Sequence, residues 1–268
     1  VDVTLVSVVG GPDIGLLPHW LAHYRALGVE KFKVAVDDRE RASIYDRYLT
    51  EGGITPIFHL EKPFLADEFP IRNALVTAAT TGWVIHPDMD EFFVFDRPLN
   101  VLIEDCLAEG YKTVRGRLID HIQSEGGLVA IQSSPSLWQQ FPLMHPITRY
   151  VRGGCDVKAV LRHRSVTAYP GNHLSDDGFL PGCHPVWQEV HHFRWTDNTV
   201  PTFRSHLRAM PSCGWNGELE RALAFLGDPP RLDLDRLGAL APFIEPTETL
   251  IWHNNSIETR RKIETDRV

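Results

Sequence analysis

Residues 3–9 alternate and then run apolar (Val3-Thr4-Leu5-Val6-Ser7-Val8-Val9), which predicts a buried first strand ending at Gly10-Gly11-Pro12. Over 14–27 the apolar residues Leu17, Trp20, Leu21, Tyr24 and Leu27 recur at helical spacing, and Gly28 closes the helix. A second strand over 32–36 ends in Asp37-Asp38. A helix over about 41–50, the pair Gly52-Gly53 and a third strand over 55–59 follow. Residues 71–80 read as a helix that leads through Thr81-Gly82 into the apolar strand Trp83-Val84-Ile85. Strands alternating with helices across short glycine-bearing connections predict an α/β fold, a mostly parallel sheet with helices on both faces.

Beyond this half the pattern loosens. A helix over 99–110 and a strand over 113–119 are clear. From about 120 to 200 Gly, Pro and Ser are frequent, with short strands over 157–162 and 187–193, which suggests a loop-rich region rather than a separate domain. Residues 200–208 and 218–226 read as helices, and 249–265 as a mixed-charge helix. The chain has no internal repeat, and the whole of 1–268 reads as one domain.

Composition narrows the partners. A charged fraction of 23% suits an ordinary soluble domain, while a net charge of −8 leaves no global basic field to attract nucleic acid. Cys106, Cys155, Cys183 and Cys213 lie far apart without a CxxC spacing, which predicts reduced thiols and a cytoplasmic protein, or one peripheral at a membrane. No apolar run approaches the ~18 residues of a spanning helix, so no transmembrane segment is expected in this chain.

The chemistry concentrates in Trp83-Val84-Ile85-His86-Pro87-Asp88-Met89-Asp90-Glu91-Phe92-Phe93. Three carboxylates within four residues repel unless something cationic lies between them. A hard divalent cation does this well and leaves positions for phosphate oxygens. The stretch therefore reads as the Asp-x-Asp site of an enzyme that handles a nucleoside diphosphate, against the plainer reading of a solvated acidic turn. In open α/β sheets ligands bind at the carboxyl ends of strands, and Asp37-Asp38 and Asp88-Met89-Asp90 both fall there.

The order of parts resembles the family 2-like glycosyltransferases, in the branch that carries a D-x-D-E-F motif behind a Trp-Val strand. The likeness is carried by His19-Trp20-Leu21-Ala22-His23-Tyr24-Arg25-Ala26-Leu27-Gly28-Val29 and by the acidic stretch. It continues more thinly through Lys158, Pro170-Gly171-Asn172-His173 and His191-His192-Phe193-Arg194-Trp195. It implies a GT-A fold, a Rossmann-like sheet with a nucleotide-sugar-binding half over about 1–98. The acceptor-binding half and C-terminal helices would occupy about 99–268.

Carried over residue by residue, the resemblance gives Asp90 the Mn2+ or Mg2+ ion, and Asp88 the ribose or the metal. Asp37, with Asp38, would meet base or ribose. His173 and His192 are the candidates for a late metal ligand. Where the family often has Glu after the first strand, this chain has Asp13, one methylene shorter, as the nucleotide contact. Where that family has Ser after the late Arg, this chain has Trp195-Thr196, a difference on the acceptor side.

Arg72 and Lys158 are expected to meet the diphosphate or sugar. The implied reaction moves a sugar from a UDP- or GDP-type donor to a hydroxyl on a glycan, lipid-linked or protein acceptor, with inversion. An inverting transfer needs a general base. Asp120 and Asp176 are the choices among Asp120, Glu125, Asp176 and Asp177. A phosphohydrolase using the acidic pair, or a non-catalytic sugar- or nucleotide-binding module, are the alternatives. A zinc site from Cys183-His184 and His191-His192 matches no common module.

Overall fold

The computed structural model describes residues 3–54, 57–60, 68–79, 82–166, 172 and 182–245, without the side chains of residues 57, 68, 69 and 72. The expected helix over 249–265, and His173, Asp176 and Asp177, lie outside the described residues, as does the side chain of Arg72. No helix among the described residues is long and apolar enough to cross a membrane. All four cysteines are free.

The N-terminal half follows the pattern read from the sequence. Strands β1 (Val3–Val9), β2 (Lys31–Val36), β3 (Ile57–His59) and β4 (Trp83–Ile85) alternate with helices α1 (Leu16–Ala26), α2 (Ala42–Glu51) and α3 (Glu68–Thr77). Then come β5 (Glu91–Val94), α4 (Leu99–Glu109), β6 (Thr113–Ile122), the short α5 (Leu137–Gln140) and β7 (Leu143–His145). A π-helical turn (Thr148–Arg152) precedes β8 (Val157–His163) and β9 (Gln188–His192), and helices α6 (Thr199–Ala209), α7 (Asn216–Leu226) and α8 (Leu234–Leu240) close the described chain.

One nine-stranded sheet runs β3-β2-β1-β4-β8-β6-β9-β5, with β7 on β6. The strands β3, β2, β1 and β4 are mutually parallel. β8 runs against β4 and β6, β9 is parallel to β6, and β5 and β7 are antiparallel to their neighbours. Six of the nine strands thus share one direction, which makes the sheet mixed but mostly parallel.

Alternation along β1 explains the layers. Leu5 and Val9 join Leu17, Trp20, Leu21, Tyr24, Tyr45 and Leu49 in the main core under α1 and α2. Val6 faces the other way, toward Leu75, Val76 and Ala79 on and just after α3. Burying an aliphatic side chain in either layer contributes about 1.5–3 kcal/mol. A second core joins Ile122 of β6 to Ile147, Val151, Trp195, Phe203, Leu219 and Leu237. It docks the π-helical turn and the C-terminal helices onto the end of β6.

Two glycines matter to this geometry. A Cβ at Gly10 would lie 2.4 Å from the Asp37 carbonyl oxygen, so β1 and β2 can close together only with hydrogen there. At Gly116 a Cβ would meet Val160 at 2.5 Å and Val190 at 2.8 Å, on the strands to either side of β6.

Candidate active site

Between β4 and β5 the chain crosses a large part of the sheet in a few residues. It leaves β4 beside β1 and enters β5, which pairs with β9 at the end of the strand order. The crossing carries Asp88, Met89 and Asp90, which lie outside the strand ladders, so their buried backbone groups need other partners. Helix α1 supplies several. Trp20 Nε1 donates to the Asp88 carbonyl at 3.1 Å, and Tyr24 Oη donates to the Glu91 carbonyl at 2.9 Å. Tyr24 Oη also accepts from Phe93 N at 3.1 Å, and His23 Nε2 lies 2.9 Å from the Phe93 carbonyl.

From the sheet, Ser7 Oγ donates to the Pro87 carbonyl at 2.7 Å. Asn172 Nδ2 donates to the carbonyls of His86 (3.0 Å) and Ala159 (2.9 Å). The two sequence stretches that carry the family resemblance are therefore one physical unit, a helix clamping an acidic turn.

The side chains of the turn divide into a braced pair and a second group facing β9. Glu91 is buried, with Oε1 2.6 Å from Lys158 Nζ, and its Oε2 accepts from Asp88 N at 3.2 Å. Lys158 Nζ also lies 3.6 Å from Asp88 Oδ2. Burial raises the Glu91 carboxyl, and the Lys158 charge only partly offsets it.

Asp90 Oδ2 lies 3.3 Å from His192 Nε2 and 3.2 Å from Arg194 Nη1. Burial alone would raise the Asp90 carboxyl, yet His192 and Arg194 outweigh it and hold it at about 2. Burial likewise works to lower His192, but Asp90 and Asp120 outweigh it and lift the imidazole to about 9. Of the turn's three carboxylates Asp88 is 33% exposed and Asp90 19%, while Glu91 is enclosed.

Several expected site residues occupy other roles. Asp120 is corrected as a general base: it is fully buried and accepts from Thr148 N, Thr148 Oγ1, His192 Nδ1 and Trp195 Nε1. Burial would raise its carboxyl, but the His192 and Thr148 hydrogen bonds and the His192 charge prevail and lower it. Such a carboxylate cannot reach a substrate hydroxyl.

Lys158 is corrected as a presented phosphate ligand, because it is 3% exposed and committed to Glu91 and Asp88. The Asp38 carboxylate accepts from Arg41 N at 2.9 Å and pairs with the Arg41 guanidinium at 2.8 Å at the start of α2. Asp37 stands at the end of β2, its backbone N donating to Val9 O. Asp13 accepts from Thr196 Oγ1 (2.9 Å) and Asn198 Nδ2 (3.0 Å), and burial raises its carboxyl beside Asp90 and Arg194. Asp13, Asp88, Asp90, His192 and Arg194 therefore converge.

Glu125 sits on an exposed loop. Of the four residues weighed for zinc, His191 is turned to His121 (2.7 Å) and Glu189 (3.0 Å). Among the described residues no group of three or more His, Cys, Asp and Glu side chains could by itself hold a metal ion.

No family model matches the chain, and no curated protein matches it in sequence. Solved structures superpose loosely. Staphylococcus aureus TarS aligns at 10% identity with a TM-score of 0.37, covering 84% of this chain and 43% of that one. Its 1–349 fragment gives 10%, 0.39, 84% and 72%. HddC from Yersinia pseudotuberculosis gives 11%, 0.37, 70% and 89%. This chain thus spans less than half of the longer TarS chain. Likenesses this loose decide neither reaction nor substrate.

Proposed function

We propose that the chain is a glycosyltransferase of GT-A type. It would move a sugar from a UDP- or GDP-type donor to a hydroxyl on a glycan, lipid-linked or protein acceptor, with inversion and with Mn2+ or Mg2+ as cofactor. The observation that carries this reading is the acidic turn at the carboxyl end of β4. Trp20 and Tyr24 clamp its backbone from behind at the Asp88 and Glu91 carbonyls, and of its two partly open carboxylates Asp90 meets His192 and Arg194 while Asp88 faces Lys158. Strand ends in a parallel half-sheet are where nucleotides bind.

The residues fit a cation completed by its substrate rather than a closed protein cage. Mg2+ and similar ions take one or two carboxylates plus substrate phosphates. Asp90 and His192, with Asp88 beside them, offer that many ligands, and His173 is the further candidate. A bound ion would supply Lewis-acid stabilisation of the charge growing on the departing diphosphate.

The remaining work falls to the chain. Asp37 and Asp13, at the ends of β2 and β1, would meet the base, ribose or sugar. Arg194, partly open and seated on Asp90, would place a guanidinium where the diphosphate arrives. Arg72 is a second candidate for that charge. A base takes the acceptor's proton as its oxygen attacks the anomeric carbon and the nucleoside diphosphate leaves from the opposite face. With Asp120 enclosed, Asp176 is the candidate for that base.

The test is donor hydrolysis across UDP- and GDP-sugars with Mn2+. Slow release of nucleoside diphosphate that disappears in a folded Asp90→Ala protein is expected. Full activity in that variant would remove Asp90 from the reaction. Phosphate release from simple phosphomonoesters would favour a phosphohydrolase, and tight nucleotide binding with no turnover a binding module.

A further inference from the structure

Asp120 lies directly opposite His192 in the parallel register of β6 and β9. Its Oδ1 accepts from His192 Nδ1 at 2.8 Å, Trp195 Nε1 at 3.0 Å and Thr148 Oγ1 at 3.1 Å, and its Oδ2 from Thr148 N at 2.7 Å. The indole N–H and the backbone N–H can only donate, and an ionised carboxylate can only accept. The donors from Trp195 and Thr148 thus fix the carboxylate's plane, and the imidazole must present a proton from Nδ1.

Nε2 faces the acidic turn, 3.3 Å from Asp90 Oδ2. A carboxylate that only anchored the π-helical turn to the sheet would need Thr148 and Trp195, not a histidine aimed onward at Asp90. Histidines that ligate metals commonly donate their second ring N–H to a carboxylate, which sets tautomer and ring orientation.

We infer that Asp120 is a positioning residue, holding a proton of His192 on Nδ1 so that Nε2, which releases its own proton to solvent as the ion binds, joins Asp90 in binding a divalent cation at the acidic turn. The inference rests on the metal-dependent reading of the site. Arg194 shares the same Asp90 oxygen, so a cation taking that oxygen displaces the guanidinium.

Titration of the whole chain with Mn2+ alone and with Mn2+ plus UDP or GDP, followed by calorimetry and electron spin-echo spectroscopy, tests it. Wild-type protein should show coupling of Mn2+ to a directly bound imidazole nitrogen that is lost in His192→Gln. Asp120→Asn should weaken Mn2+ binding about 10–100-fold, the range typical of such partners. Thr148→Val, which removes only the hydroxyl donor to Asp120, should bind Mn2+ as wild type does.

Equal loss in Thr148→Val and Asp120→Asn would reduce Asp120 to a structural anchor and overturn the inference. So would unchanged affinity and nitrogen coupling in Asp120→Asn. Wild-type protein that binds no Mn2+ even with a nucleoside diphosphate would instead sink the metal-dependent reading itself. Should Asp120→Asn fail to fold, two-bond 1H–15N spectra of the Mg2+-loaded wild type read the tautomer. The proton of His192 is expected on Nδ1, and finding it on Nε2 overturns the inference.

Discussion

Replacing Lys158 by Met tests how the acidic turn is held. Lys158 is 3% exposed and Glu91 2% exposed, and their charges meet at 2.6 Å inside the protein. Removing one member of such a pair leaves the other charge buried and uncompensated, which costs about 3–5 kcal/mol. Here the cost falls at the upper end, because Lys158 also faces Asp88 at 3.6 Å.

Urea unfolding at pH 7, extrapolated linearly to water, gives the stability of each variant. Lys158→Met alone is expected to lose about 3–5 kcal/mol. Combining it with Glu91→Gln removes the stranded charge and should restore most of that loss, giving a coupling energy of opposite sign to the single effect. A Lys158→Met protein within about 1 kcal/mol of wild type would show that this pair does not brace the turn, given the magnitudes for buried pairs. A double variant less stable than the single would contradict it equally.

Tyr24→Phe deletes the hydroxyl that serves both the Glu91 carbonyl and Phe93 N, and should cost about 1–3 kcal/mol for each group left unpaired, read by the same unfolding assay. Gly116→Ala places a methyl against Val160 and Val190 and should destabilise by about 1–3 kcal/mol, with partial rescue by Val160→Ala.

Burial, then the neighbouring His191, holds His121 well below the usual histidine range, so the folded state refuses a proton that the unfolded chain accepts near pH 6.5. The stability from this group is complete above pH 6.5 and is lost as the pH falls below it, by up to about 1.4 kcal/mol per pH unit. His121→Phe, stacked in the same place on Phe193, should flatten that slope between pH 6.5 and 5. An unchanged slope would assign it to another group.

The N-terminal half was legible because its signals are local. Alternation marks β1 and helical spacing marks α1, whose observed bounds fall within about two residues of those expected, whereas α3, expected over 71–80, lies three residues earlier at Glu68–Thr77. The acidic turn was legible as a strand-end carboxylate pair for the same reason. Asp120 was misplaced because the strand expected over 113–119 runs on to Ile122. Three more ladder residues convert an expected loop carboxylate into a buried one opposite His192.

Lys158 was misplaced because its burial depends on Glu91, more than sixty residues away, and no local pattern records that pairing. Strands β5 and β7 and helix α8 went unread for a similar reason. β5 and β7 are short, and long-range register fixes them, β5 on β9 and β7 on β6. The donors Trp20, His23 and Tyr24 did leave a signal, polar atoms on the otherwise apolar face of α1, but their targets were not predictable from spacing.

Asp88 and Asp90 are proposed to head a site for a nucleoside diphosphate and a divalent cation together. Calorimetry of UDP and GDP binding, with and without Mn2+, measures the coupling between the two ligands directly. The proposal predicts that Mn2+ tightens binding of one nucleoside diphosphate at least about tenfold, roughly 1.4 kcal/mol of coupling. That coupling should vanish in Asp90→Ala while the fold is retained. Equal nucleotide affinity with and without Mn2+ in the wild type, or coupling that survives Asp90→Ala, would contradict it.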